Sequence, residues 1–276
     1  MPNVQLPTAL DMYYEVRGGG EPVVFIPATG FSGEVWKPFQ VAELSKSMQV
    51  IIFDQRGTGR SSTPKGVYTI DQMAGDTVAL LDHLNIERAH ILGHSMGGRI
   101  GLSMALNWPG RVKSLILAAS GSGVAAFPGP ACVPGLPEQL IHLLIEHGLD
   151  EYVRHEVFET HPYFTDSFRR ENPQRVQELW DVAWPTHARL HAYVELCRAR
   201  HTWDGTYRLG DVKARTLAVV GIHDTIGRSH VPQAEILAQR IPGARYLALE
   251  DQSHGFFWQA PEETNRWIRE WVQEHR

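Results

Sequence analysis

Two hydrophobic patterns alternate through residues 1–121. Short apolar or alternating runs, Asp11–Arg17, Val23–Ile26, Val50–Phe53, Ala89–Leu92 and Val112–Ala119, have the length and residue types of strands. Between them lie stretches with helical spacing: Lys37–Leu44, Met96–Asn107, and Thr69–Leu84, where Ile70, Met73, Val78, Leu81 and Leu84 recur on one face. Gly18-Gly19-Gly20 marks a turn, and Gln55–Pro64, rich in Gly, Ser and Thr, reads as a loop. Apolar strands separated by helices predict parallel crossovers and a sheet covered on both faces.

Beyond Gly121 the pattern changes. From Val124 to Gly210 the β-branched runs stop, and a Pro/Gly-rich stretch, Phe127–Pro137, leads into helix-like segments that include Glu138–His147, Leu149–Phe158 and Pro173–Ala183. Alternation resumes with a strand at Thr216–Gly221, a helix at Pro232–Arg240, a strand at Arg245–Leu249 and a helix at Pro261–Glu274. The expected organisation is one α/β core, residues 1–121 and 211–276, with a helical cap, residues 122–210, inserted in it. No internal repeat or low-complexity segment interrupts this reading.

Composition narrows the class. The 276 residues can bury a full core, and a net charge of −5 without any basic block argues against a nucleic-acid partner. No apolar run approaches the roughly 18 residues of a membrane span, and the start, Met1-Pro2-Asn3-Val4-Gln5-Leu6-Pro7, lacks the basic and apolar regions of a secretory signal. Cys132 and Cys197 have no metal-type spacing and are expected as buried free thiols, which fits a cytoplasmic protein. Half of the 14 histidines fall in the helical segment (His142, His147, His155, His161, His187, His191 and His201), again without metal spacing. The expectation is a small-molecule substrate, no metal or organic cofactor, no membrane and compatibility with a homo-oligomer.

The chemistry concentrates at Gly93-His94-Ser95-Met96-Gly97, a G-x-S-x-G pattern between an apolar strand and a helix. A nucleophile at the tip of such a turn adopts strained backbone angles, and flanking side chains would collide there. Ser95 needs a base, itself oriented by a carboxylate, and the chain order on this architecture is Ser, acid, His. His254, in Asp251-Gln252-Ser253-His254-Gly255, lies between the last strand and the final helix. Asp224 ends the preceding strand unit and is preferred as the acid over Asp251, Asp204 and Asp211. The oxyanion donors are expected to be the amides of Met96 and Thr29, with Gly30 as the alternative to Thr29; Pro27 has no N–H to give.

Gly93-His94-Ser95-Met96-Gly97-Gly98 together with Asp54-Gln55-Arg56-Gly57-Thr58-Gly59-Arg60-Ser61, Trp36, Tyr68-Thr69-Ile70 and Leu80-Leu81-Asp82-His83-Leu84 resembles the α/β-hydrolase superfamily over nearly the whole chain. Many members carry His-Gly where this chain has Pro27-Ala28. The enol-lactonases acting on 3-oxoadipate lactone also depart there, and their Tyr-Thr-Ile and Ser-Met-Gly-Gly stretches are the most similar. The resemblance implies a serine esterase or lactonase working through an acyl-enzyme. Ser95 argues against epoxide hydrolases and haloalkane dehalogenases, which place Asp at that turn. A carbon–carbon bond hydrolase of a vinylogous diketone and a ligand receptor with a vestigial triad share the motifs. Trp180, Trp184, Trp203, Phe158, Phe164, Tyr163 and Tyr193 could line a pocket for a hydrophobic or cyclic substrate, though packing the cap's own core is the plainer expectation. Phe256, Phe257 and Trp258 read equally as site wall or as core. Arg99 is expected as a surface residue of its helix, with a charge for an anionic substrate as the alternative.

Overall fold

The computed structural model describes residues 3–123, 138–154, 163–226 and 230–276. Cys132, His155, His161, Phe158 and the Phe127–Pro137 stretch lie outside them. Among the described residues eight strands form one sheet: β1 (Asn3–Gln5), β2 (Asp11–Arg17), β3 (Pro22–Ile26), β4 (Gln49–Phe53), β5 (Ala89–His94), β6 (Val112–Ala118), β7 (Arg215–Gly221) and β8 (Arg245–Leu249). Their order is β1-β2-β4-β3-β5-β6-β7-β8; β1–β2 and β2–β4 are antiparallel and all other pairs parallel. The interior strands β3, β5, β6 and β7 are buried almost throughout because helices cover both faces, which is why they read as continuous apolar runs. The three-residue β1 is too short to leave such a signal.

The helices are α1 (Ala42–Leu44), α2 (Ile70–His83), α3 (Met96–Asn107), α4 (Glu138–Val153), α5 (Asp166–Glu171), α6 (Pro173–Ala183), α7 (Leu190–Thr202), α8 (Val231–Arg240), α9 (Phe256–Gln259) and α10 (Pro261–Glu274). Thr69 caps α2 by accepting the Gln72 amide at 3.0 Å, which fixes its start one residue beyond the cap. The segment expected as one helix over 37–44 instead runs as a wide turn, Lys37–Val41, and the single α-turn of α1, with the donor-less Pro38 near its start. Gly148, at φ 77°, breaks α4 between the two helical stretches that the sequence separates there.

Parallel strands deliver their C-terminal ends to one edge. The register places Ile26 beside Gly93, Gly93 beside Leu117, and Leu117 beside Ala218, so the loops after β3, β5 and β7 leave side by side. Helices α4–α7 fall between β6 and β7. The two ends of that segment meet: Gly123 bridges Asp204, and Gly205 N donates to Ser122 O at 2.7 Å. Backbone bonds tie it to the sheet's loops, from Gly59 N to Thr186 O at 2.8 Å, Ala188 N to Gly30 O at 2.9 Å and Gly255 N to Tyr163 O at 2.6 Å. No helix among the described residues is long and apolar enough to cross a membrane.

One buried ion pair fastens α2 to the Asp54–Ser61 turn. Arg56 donates through Nε and Nη2 to the two carboxylate oxygens of Asp76 at 2.7 and 2.8 Å, and both side chains are fully enclosed. Removing one partner leaves the other charge buried and unpaired, so Asp76→Ala is expected to lower unfolding stability by about 3–5 kcal/mol. Urea denaturation checks this; a loss under about 1 kcal/mol would mean that the site rehydrates freely.

Candidate active site

β5 runs buried to His94 and passes directly into α3. A junction this abrupt forces Ser95 to φ 56° and ψ −117°, outside the regions L-residues ordinarily occupy. Glycines make the close packing possible. A Cβ on Gly93 would sit 2.1 Å from the Gly97 carbonyl oxygen, and one on Gly97 would sit 2.2 Å from that of Ile26. The neighbouring chain locks the strained residue in place: Ser95 N donates to Ala118 O at 2.8 Å, and Ser120 Oγ donates to Ser95 O at 2.6 Å. Ser95 is 8% exposed at the N-terminus of α3, where Met96 carries the first amide of the helix, one with no intrahelical acceptor.

The contact between Gly97 and the Ile26 and Pro27 carbonyls sets the loop after β3 against this turn. Gln55 Nε2 holds Pro27 O at 2.8 Å, and Phe31 N closes a turn onto Ala28 O at 3.2 Å. Thr29 is half-buried in this loop, with its Oγ1 accepting from Arg200 Nη1 at 3.3 Å. Gly30 has φ +80°, and a Cβ there would lie 2.5 Å from His187 Nε2. Both sequence candidates for the second donor therefore sit in the loop packed on the start of α3.

The loops after β7 and β8 are stitched together, from Ile222 N to Leu249 O at 3.1 Å, His223 N to Gln252 O at 3.0 Å and Ser253 Oγ to His223 O at 3.1 Å. That pairing brings Asp224 and His254 into contact, with His254 Nδ1 and Asp224 Oδ2 2.7 Å apart and both side chains buried. Asp224 Oδ1 accepts the Ile226 amide at 3.0 Å. Burial pushes the Asp224 carboxyl upward, but the fields and hydrogen bonds of His254 and His230 outweigh it and hold the group well below the usual carboxylate range. Of the competing acids, Asp251 is exposed, Asp211 pairs with Arg208 at 3.6 Å, and Asp204 accepts the Thr206 amide at 2.8 Å.

Two further histidines belong to this cluster: His94, a variable position of the G-x-S-x-G pattern to which that pattern assigns no role, and His230, which no motif marks. His230 Nδ1 lies 3.0 Å from the same Asp224 Oδ2, and its ring is 4.9 Å from that of His254. His94, next to Ser95, holds its Nε2 3.0 Å from the His254 carbonyl, with ring centroids 4.6 Å apart. Tyr163 closes over both, 5.9 Å from the His94 ring and 5.4 Å from that of His254. Burial holds His94 and His230 below the ordinary histidine value near 6.5, and brings His187 down to about 4. His94 and His187 therefore stay neutral in the folded chain while the unfolded chain takes up protons near pH 6.5, and His230 shifts in the same direction. Stability is therefore expected to fall on acidification below that value, by about 1.4 kcal/mol per pH unit for each of His94 and His187. The depressed Asp224 acts in the same direction, its contribution being lost as pH drops below its unfolded value near 3.8. Urea midpoints at about pH 7.5 and about pH 5 measure this, and an equal or higher midpoint at the lower pH would contradict it.

The structure corrects one expectation. Arg99 is not a surface residue but is 7% exposed, its Nη1 donating to the carbonyl of Arg200 at the end of α7. Most described aromatics of the helical segment pack on one another: Trp180 stacks on Trp184 at 4.6 Å, Trp184 on His187 at 5.2 Å, and Phe164 meets Phe168 at 5.1 Å. Trp203 turns away and donates to Asp71 at 3.0 Å. Tyr163 is the one that meets the histidine cluster, and Tyr193 borders Gly30. Phe256, Phe257 and Trp258 are buried core beneath His94, with Phe257 4.7 Å from Trp36 and Trp258 Nε1 donating to Val35 O at 2.9 Å. Cys197 is a buried free thiol.

Among the described residues, one group of ligating atoms lies close enough to hold a metal, Asp224, His230 and His254, all within 4.8 Å. Both imidazole Nδ1 atoms are already engaged on Asp224, so the group is complete as a hydrogen-bonded cluster.

A family model described as alpha/beta hydrolase fold matches residues 21–261. RutD of Azorhizobium caulinodans, named a carbamate hydrolase, is 29% identical over 265 residues, covering 94% of this chain and 93% of that protein. The 3-oxoadipate enol-lactonase 2 of Acinetobacter baylyi is 31% identical over 229 residues, covering 83% and 80%. The crystal structure of the enol-lactonase from Burkholderia xenovorans LB400 superposes with a TM-score of 0.83 at 27% identity, over 99% of this chain and 100% of that one. A thermophilic esterase from Thermogutta terrifontis gives 0.83 at 25% identity over the full length of both.

Proposed function

The chain belongs to the α/β-hydrolase fold family and is a hydrolase, and on that premise we propose that it cleaves a carboxylic ester or lactone of a small molecule through an acyl-enzyme at Ser95. The observation that carries this reading is the buried Asp224–His254 contact of 2.7 Å, with the His254 ring 4.6 Å from that of His94, the residue before a serine held at φ 56° on the strand-to-helix turn.

His254 takes the Ser95 proton as Oγ attacks the substrate carbonyl, and Asp224 stabilises the imidazolium that forms. The oxygen of the tetrahedral intermediate accepts from the amides of Met96 and Thr29, backed by the dipole of α3. Collapse expels the alcohol, which takes the proton from His254. A water molecule then repeats the sequence on the acyl-enzyme and restores Ser95. His230 acts through Asp224: by occupying the same oxygen as His254, it fixes the carboxylate's orientation. Helices α4–α7 serve as a cap over the edge that carries Ser95, with Tyr163 as the residue nearest the histidines.

The names of the relatives support acyl chemistry on small substrates, carbamate in one case and lactone in the other. A panel of aryl esters, lactones, carbamates and ring-fission diketones, compared by kcat/KM, tests the bond type. Esters or lactones should lead by at least about 100-fold, a difference of about 2.7 kcal/mol in transition-state stabilisation. Preference for the diketones, or no turnover of any acyl substrate, would overturn the reading.

A further inference from the structure

A guanidinium as deeply buried as that of Arg99 normally has a carboxylate partner, since removing an unpaired charge from water is costly. Arg56 shows the usual solution, a fork onto Asp76. Arg99 has none. Among the described residues no carboxylate lies within ion-pair distance of Arg99 or of Arg200, and the one hydrogen bond of Arg99 goes to the Arg200 carbonyl. Arg200 donates from Nη1 to Thr29 Oγ1 at 3.3 Å and meets His201 Nε2 through Nη2 at 3.0 Å. The acid within electrostatic reach of Arg99 is Asp204, whose Oδ1 already accepts the Thr206 amide.

The two arginines come from different elements, one from the helix that Ser95 begins and one from a helix touching the loop packed on its start. Arg99 follows Ser95 by four residues, so it stands on the same face of α3, about 6 Å along the axis, and its Cα–Cβ bond tilts back toward the helix start. Arg200 comes from the far end of α7 and touches the loop that faces Ser95. His230, packed on His254, feels the charge of Arg99. Among the described residues Asp204 alone opposes the cations around Arg99: burial, then the nearby charges of Arg200 and Arg99, push His201 down to about 3, while burial and Arg200 outweigh Asp204 and bring Arg99 down to about 9.

We infer that Arg99 and Arg200 form an anion subsite beside Ser95 that takes a carboxylate carried on the substrate, a few bonds from the carbonyl under attack. The attacked carbonyl rests on the hydrolase reading above; the subsite itself does not. The plainer role for Arg99, capping the last carbonyls of α7, uses one N–H of the five and does not account for the second guanidinium beside it.

A matched pair of substrates separates the two roles: mono-4-nitrophenyl glutarate and its methyl ester, which differ in one charge. The parent enzyme should favour the acid at least tenfold in kcat/KM. Arg99→Gln and Arg200→Gln should each collapse that ratio toward one, and Arg99→Lys, which keeps the charge, should retain part of it. A ratio near one in the parent, or a ratio unchanged in both Gln variants, overturns the subsite. If Arg99→Gln does not fold, the half-buried Arg200→Gln and Arg99→Lys carry the comparison. Glutarate binding to Ser95→Ala, measured by calorimetry, keeps the two readings apart. Binding that Arg200→Gln weakens at least tenfold supports the subsite even when no ester is turned over, a result that would sink the hydrolase reading alone. Absence of arginine-dependent binding overturns the subsite even when esters are hydrolysed.

Discussion

Ser95→Ala is expected to fold and melt like the parent and to lose about four orders of magnitude or more in kcat. The strained turn does not depend on Oγ: it is held by Ser95 N on Ala118 O, by Ser120 on Ser95 O, and by the missing side chains of Gly93 and Gly97. The substitution therefore removes the nucleophile and leaves the Met96 and Thr29 amides and the acid–base pair unchanged. Residual turnover then measures positioning and oxyanion stabilisation alone. Steady-state kinetics on the best ester of the panel, with a melting curve as the folding control, reads both halves; a loss under tenfold would contradict the assignment.

Asp224→Asn should cost about 10³- to 10⁴-fold in kcat with a smaller change in KM, because it disturbs proton transfer rather than binding. Asp224 Oδ2 faces two ring nitrogens, those of His254 at 2.7 Å and His230 at 3.0 Å, while Oδ1 holds the Ile226 amide at 3.0 Å. An asparagine that keeps its oxygen on Ile226 turns its NH2 toward both histidines, which must then present acceptors at Nδ1. In that tautomer His254 carries its proton on Nε2, facing the wrong way to act as a base. Asp251→Asn is the matched control: its exposed side chain has no part in the cluster, so the rate should stay within about twofold of the parent. Comparable losses in the two variants would remove Asp224 from its role.

The sheet was legible because parallel strands buried on both faces leave uninterrupted apolar runs, as at Val23–Ile26 and Ala89–Leu92, and because helices with one buried face space their apolar residues regularly. The helical segment was less so. In α7 the buried face is made of Ala192, Tyr193, Leu196, Cys197 and Ala199 with Glu195 among them, too small and too mixed to stand out as a stripe. At the site, Ser95 could be read because its strain demands glycines at fixed offsets, and Asp224 and His254 because each closes a strand unit on one edge of the sheet. His230 could not, since nothing in the order of residues sets a histidine six positions on against the same Asp224 oxygen. Arg99 illustrates the limit best. Its position four residues after Ser95 was visible, but its burial depends on α7 closing over it, a contact between residues 99 and 200 that the sequence order conceals.

The central claim is that Ser95 is an activated nucleophile rather than a serine in an ordinary turn. A fluorophosphonate probe reacts only with a serine whose proton can be taken by a neighbouring base. Intact-mass and peptide analysis of the labelled protein at neutral pH should find one equivalent of phosphonate on the peptide carrying Ser95, and none in Ser95→Ala. Labelling in Asp224→Asn should be slowed in proportion to its kcat. An unlabelled parent protein, or label that persists after Ser95→Ala, would contradict the account.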